Sequence, residues 1–318
     1  MRRAVMRSKD SRLRRAKRVA CQNWLRLRRA ILVWLILLAG CCAGCGGSNS
    51  QPSAPAAQSE FANPQAITLL GYSGDAMEPF LSRDGKYLFF NSLNTTVPTK
   101  LYWATQVDPL IFQFQGEIGS VNTATLDAVA SMDGSGNFYF ISNRSYGQSL
   151  STVYAGTFGN GSVSAVEAVP GISAPMAGLV DFDAEISADG NTLYFSEGHF
   201  DSAGNPQTSQ IIMATRGMSG FTRSAQSATL MQQINTNTLN YAADTSASQL
   251  ELFFTRLDPS GPAIYMAART DTALPFGAPT KISAITGFAE APSLSPDGKS
   301  LYYHKKDSRF AIYRVTRP

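Results

Sequence analysis

The sequence predicts an all-β fold, a ring of four-stranded antiparallel blades forming a single β-propeller, and two observations predict it. A short phrase recurs along the chain: an apolar strand ending near Ser, an Asp-Gly turn, then an aromatic-rich strand. Outside the first forty residues the apolar residues fall in short branched and aromatic runs, and no convincing amphipathic helix is legible. Repetition at about fifty residues points to a stacked or circular array.

The phrase reads EPFLSRDGKYLFF from Glu78, AVASMDGSGNFYF from Ala128, AEISADGNTLYF from Ala184 and APSLSPDGKSLYY from Ala291, with a worn copy, ADTSASQLELFF, from Ala243. Asp84-Gly85, Asp133-Gly134, Asp189-Gly190 and Asp297-Gly298 are read as hairpin turns, because Gly accepts positive φ while Asp bonds its own turn backbone. Copy two is read with an insertion around Gly136. In the worn copy Ser248-Gln249 occupies the turn, and a looser turn is expected there.

A third strand follows each hairpin, at Leu101-Tyr102-Trp103-Ala104, Val153-Tyr154-Ala155, Ile211-Ile212-Met213-Ala214, Ile264-Tyr265-Met266-Ala267 and Ile312-Tyr313-Arg314-Val315. Outer strands are expected at Leu110 to Phe114, Gly161 to Val166, roughly Arg223 to Met231, and Thr280 to Ile285, giving four per blade. The last copy has no outer strand of its own, so Ala66 to Leu70 is expected to supply it and close the ring. Counting hairpins gives five blades. Six would require about 42 residues per blade and one copy worn past recognition.

Ahead of the repeats lie three different segments. Twelve bases and one acid, Asp10, occupy the first thirty residues, followed by the apolar run AILVWLILLA. Ten apolar residues fall short of the roughly 20 that span a bilayer, so residues 1–40 read as an export signal. Residues 41–65 are rich in Gly, Ser, Pro and Ala and read as a flexible tether, leaving 66–318 for the propeller. Without residues 1–40 the chain carries fifteen bases against twenty-two acids, a net charge of −7, which argues against a nucleic-acid partner. Cys21, Cys41, Cys42 and Cys45 all precede the repeats, so no disulfide is expected within them.

Two resemblances attach to these residues. Leu38-Ala39-Gly40-Cys41 resembles the lipobox of bacterial lipoproteins, which implies a lipidated Cys41 and an exported protein anchored to the bacterial envelope, at the outer membrane. Ser295-Pro296-Asp297-Gly298-Lys299 followed by Ser300-Leu301-Tyr302-Tyr303 resembles the WD40-like (PD40) repeats of TolB-type propellers. That resemblance covers most of Glu78 to Thr316 and implies a non-catalytic platform for an envelope protein or glycan.

Candidate site residues divide into three groups. Glu78, Asp127, Asp183 and Glu290 precede the inner strands and are read as a binding rim at one mouth of the channel. Glu197, His199, Phe200 and Asp201 fall in the polar stretch Glu197 to Ser209, read as a projecting recognition loop. The turn aspartates are read as structural, since rotational equivalence accounts for them without chemistry. Neither His199 nor His304 has partners at metal-ligand spacing, so no metal or other cofactor is expected. The alternative function is a five-bladed glycan hydrolase, which requires two carboxylates about 5 to 9 Å apart at the channel mouth.

Overall fold

Strands begin where the chain leaves its Pro- and Ser-rich stretch. The computed structural model describes residues 60–94, 98–200, 206–236 and 238–318. In chain order the strands are β1 (Ala62–Ala66), β2 (Thr68–Leu70), β3 (Met77–Leu81), β4 (Tyr87–Asn91), β5 (Leu101–Asp108), β6 (Ile111–Glu117) and β7 (Asp127–Met132). There follow β8 (Asn137–Ser142), β9 (Val153–Gly159), β10 (Ser162–Ala168), β11 (Leu179–Ile186), β12 (Thr192–Phe200), β13 (Pro206–Gly217) and β14 (Gly220–Arg223). The last seven are β15 (Asn240–Thr245), β16 (Glu251–Asp258), β17 (Gly261–Ala268), β18 (Thr280–Lys281), β19 (Ala289–Leu294), β20 (Ser300–Lys306) and β21 (Phe310–Thr316). Two single-turn helices, α1 (Tyr146–Ser149) and α2 (Ser227–Leu230), lie between strands.

These strands form five sheets, one per blade of a β-propeller. Strands β3, β7, β11, β15 and β19 are innermost, and the aromatic-rich β4, β8, β12, β16 and β20 lie second. Their paired aromatics fill the space between blades: Phe89 meets Phe138 at 5.1 Å, Tyr139 meets Phe221 at 6.2 Å, and Phe112 meets Tyr302 at 6.0 Å. Each such ring buries roughly 150–250 Å², so blade contacts supply much of the core.

Ring closure differs from expectation by one strand. The strand that pairs with β21 is β1, at Ala62 to Ala66, while Thr68 to Leu70 crosses into blade 1 and pairs parallel with Ile111 to Gln113. Phe61 anchors the closing strand, buried with its ring 5.8 Å from Phe253 and the Arg317 guanidinium 4.8 Å from its centroid. The propeller therefore starts about five residues before Ala66. Ala-Asn-Pro-Gln-Ala has the composition of a linker, yet backbone pairing at an edge needs no apolar side chains.

One turn type serves blades 1, 3, 4 and 5, and blade 2 uses a turn one residue shorter. In blades 1, 3 and 5 Gly85, Gly190 and Gly298 have φ of 73°, 75° and 72°, and each donates its N–H to the carbonyl of the preceding Ser at 2.8 Å. Blade 2 contains no insertion. Asp133 occupies the Ser position, and the left-handed residue is Gly136 (φ 85°) and not Gly134. In blade 4 Gln249 takes the left-handed place with φ 57° and the same 2.8 Å bond to Ser246, so the expected looser turn is absent.

Candidate functional site

Every innermost strand carries one bulge where it enters the channel. Register shifts occur in β3, β7, β11, β15 and β19, and in each a non-glycine residue adopts left-handed φ: Glu78, Val129, Asp183, Ala242 and Ala291, between 50° and 55°. A bulge re-aims side chains and strains a non-glycine backbone by roughly 1–2 kcal/mol, so neighbouring blades must hold it. They do so through the polar residue that follows each aromatic pair. Asn91 Oδ1 accepts the Val129 N–H at 3.1 Å, Thr255 Oγ1 accepts that of Ala291 at 3.0 Å, and His304 Nδ1 accepts that of Glu78 at 2.9 Å.

The four expected rim acids do not occupy one ring. Glu78 and Asp183 share the bulge position in blades 1 and 3 and line the channel; Glu290 lies one residue earlier in its blade and Asp127 two. Asp127 is removed from the mouth altogether. Fully buried, it accepts Thr123 N–H at 2.5 Å, the Thr123 hydroxyl at 2.7 Å and Arg144 Nη2 at 2.8 Å. Asp127 lies two residues before the bulge, where Thr123 and Arg144 take up both its oxygens, whereas Glu78 and Asp183 sit at the bulge and are re-aimed by it.

At the mouth the remaining acids meet groups that sequence reasoning left aside. Because His304 Nδ1 accepts an N–H, its proton sits on Nε2 and is donated to Glu290 Oε2 at 3.1 Å. Tyr241 donates its hydroxyl to the other Glu290 oxygen, and Asn94 Nδ2 donates to Glu78 Oε1 at 2.9 Å. Phe182 stands beside Tyr241 with ring centroids 6.4 Å apart.

Below the mouth the channel narrows to a cavity of about 30 Å³ lined by Glu78, Asp183, Glu185 and Asp244 among small residues and prolines. Arg83, from the blade 1 turn, reaches across to Glu185 of blade 3 and to Ile186 O at 2.7 Å. Burial pushes the Asp244 carboxyl well above the usual carboxylate range, with Glu185 adding to the rise and Arg83 opposing it. Glu185, Asp244 and Arg83 escaped the sequence reading. The signal was present in register, since Glu185 and Asp244 fill a strand position held by Phe80, Ser131 and Ser293 in the other copies.

The expected recognition loop is mostly strand. Glu197 pairs with Gln210, Gly198 with Ser209, His199 with Thr208 and Phe200 with Pro206, which lengthens the β12–β13 hairpin. Phe200 is 9% exposed and packs on Phe182 at 5.8 Å, so it belongs to the core, while His199 is exposed. Asp201 lies outside the described residues, as does Cys41. Glu197 bonds Arg223 Nη1 at 2.5 Å, and Arg223 Nη2 reaches both oxygens of buried Asp181 at 3.0 and 3.2 Å. Burial pushes the Asp181 carboxyl up to about 7, with Arg223 opposing and Glu197 adding to the rise.

The turn aspartates have internal partners. Ser82, Ser187 and Ser295 donate to Asp84, Asp189 and Asp297 at 2.7, 2.5 and 2.5 Å. The Ser295 bond holds the Asp297 carboxyl below its usual range, burial opposing. Among the described residues no group of three or more His, Cys, Asp or Glu is arranged to hold a metal ion.

No protein-family profile matches the chain, and no curated protein matches it. Solved structures do match. A glycoside hydrolase aligns at 11% identity over 82% of this chain and 92% of its own, with a TM-score of 0.57. A family 117 glycoside hydrolase from Zobellia galactanivorans aligns at 13% identity over 81% and 90%, with a TM-score of 0.54. A TolB from Agrobacterium tumefaciens aligns at 13% identity over 79% and 80%, with a TM-score of 0.45. At such identities the likeness is one of fold: the chain is a five-bladed β-propeller.

Proposed function

We propose that this chain is a non-catalytic envelope lipoprotein of the PD40 type, tethered through Cys41, whose propeller binds an envelope protein or a glycan on the face bearing the channel mouth. One observation carries the non-catalytic part. Glu290 is hydrogen-bonded to His304 and Tyr241, Glu78 to Asn94, and Glu185 to Arg83 and Ser131, so these carboxylates brace the propeller. Glu78 and Glu185 also line a cavity of about 30 Å³, which has room for about one water. The export signal and lipobox support the location, and the acidic net charge after residue 40 agrees with a partner other than nucleic acid.

The hydrolase reading has one specific observation in its favour. Glu78 and Asp183 occupy the same bulge position in blades 1 and 3 and line the same cavity. The two readings separate in one experiment. The full-length chain is incubated with a panel of envelope and plant polysaccharides, scoring both retention on the immobilised glycan and release of reducing ends. Retention, or capture of one defined envelope protein, without release is the expected result. Release of reducing ends that is lost in Glu78→Gln or Asp183→Asn overturns it. Labelled fatty acid is expected in the wild type and absent from Cys41→Ala.

A further inference from the structure

The floor of the channel is a closed circuit of contacts to which all five blades contribute. Ser293 of blade 5 accepts the Leu81 N–H of blade 1 at 3.0 Å. Arg83 of blade 1 reaches Glu185 of blade 3, whose other oxygen accepts the Ser131 hydroxyl of blade 2 at 2.6 Å. Ser131 in turn accepts the Ile186 N–H at 3.0 Å. Asp244 of blade 4 accepts the Leu294 N–H of blade 5 at 2.7 Å through Oδ2. One joint remains, between blades 3 and 4, and there the buried carboxyls of Asp244 and Glu185 line the same cavity.

That joint differs from the others in chemistry. Ionised carboxylates only accept, so two of them cannot bond without a proton between them. No protein donor fills the gap: Asp244 Oδ1 has no hydrogen-bond partner among the described residues, and both acids are at least 97% buried, Asp244 being 2% and Glu185 3% exposed. Arg83 supplies one positive charge against the two acids. The other ionisable groups near the joint are three acids that favour a retained proton, Asp133 near Arg83 and Glu78 and Asp183 at the cavity above, and Tyr194, which lies near Glu185 and accepts from Arg269.

We propose that the channel floor is a proton-dependent lock: the joint between blades 3 and 4 closes when Glu185 and Asp244 share one proton, and raising the pH opens the circuit at that joint. The shared proton leaves the Arg83, Glu185 and Asp244 group neutral. Its loss leaves two buried carboxylates on one guanidinium, directly beneath Phe182 and Tyr241, which stand at the mouth on the same two blades.

The sign follows from proton linkage. Asp244 holds its proton in the folded chain above the ordinary carboxylate range, so the folded state binds more protons than the unfolded one and stability falls as pH rises through that window. Asp244→Asn keeps an acceptor for Leu294 N–H and gives Glu185 a permanent donor. Urea unfolding of full-length wild type and Asp244→Asn is compared from pH 5 to pH 9. The unfolding constant of the wild type is expected to rise relative to the variant by up to about tenfold per pH unit while the proton is being lost. A ratio independent of pH overturns the lock. Infrared absorption of the wild type needs no variant: a protonated carboxylic acid band at neutral pH is expected, and its absence overturns the lock. A wild-type midpoint that rises with added KCl or CaCl2, and does not in Asp244→Asn, assigns the joint to a cation and also overturns it.

Discussion

Replacing His304 by Ala should loosen the seam between blades 5 and 1, where the closing strand also lies. His304 is buried, and its Nδ1 satisfies the Glu78 N–H at a left-handed bulge. Truncation strands that donor, at roughly 1–3 kcal/mol for a buried group without a partner. It also removes the ring contact with Phe310 at 5.5 Å, about 0.5–1.5 kcal/mol for an aromatic pair. Together the loss is about 2–4 kcal/mol, which for a domain of this size lowers Tm by roughly 5–15 °C. His304→Asn is the informative control, because Asn91 performs the same service for Val129 in the next blade. The Asn variant should recover the latch and fall no more than about 1.5 kcal/mol below wild type. Urea midpoints and thermal melts on the three proteins measure this. Equal destabilisation by Ala and Asn would falsify the latch and reduce His304 to a space-filling residue.

Two further outcomes follow from the geometry. Asp181 keeps its proton in the folded chain up to a pH of about 7 against an ordinary value of 3.8, so its contribution to stability is complete below about 4 and lost as pH rises to 7. Unfolding of wild type against Asp181→Asn should therefore diverge over that range by as much as about 4 kcal/mol, and parallel pH profiles would refute the assignment. Gly171→Ala should be among the most damaging single changes, because the new Cβ would lie 1.8 Å from the Phe221 carbonyl at φ 88°. Gly116→Ala, at φ 122° but in open space, carries the backbone strain alone, so soluble yield and Tm should fall far less. Matching losses at the two positions would show that strain and not steric overlap governs both.

The blades were legible because each repeats a physical device in sequence. A polar residue and a left-handed residue three positions later close each hairpin, even where Gln249 replaces Gly or where Asp133 replaces Ser in a turn one residue shorter, so these copies still fold as blades. Closure was less legible for a different reason. β1 pairs through its backbone and presents exposed side chains, so nothing in Ala-Asn-Pro-Gln-Ala distinguishes a strand from a tether, and only buried Phe61 marks it. The site was least legible. Whether an acid lines the channel depends on its offset from the bulge, which separated Asp127 from Glu78 and Asp183 although all three lie in inner strands.

That offset also sorts the polar groups that the ring repeats from those that differ between blades. At the position after each aromatic pair, Asn91, Thr255 and His304 do one job in three blades, so their polarity is accounted for by the ring. Two positions before the bulge, Asp127, Asp181 and Asn240 each bond an arginine, Arg144, Arg223 and Arg256, and the same reasoning applies. At the bulge itself the residues are Glu78, Val129, Asp183, Ala242 and Ala291, and no rotational rule requires an acid there. One residue earlier stand Met77, Ala128, Phe182, Tyr241 and Glu290, equally dissimilar. Fivefold symmetry thus explains the polar groups it repeats and leaves Glu78, Asp183, Phe182, Tyr241 and Glu290 at the mouth, confined mainly to blades 3, 4, 5 and 1. A partner read by this face would touch those blades and pass over blade 2, whose mouth residues are Ala128 and Val129.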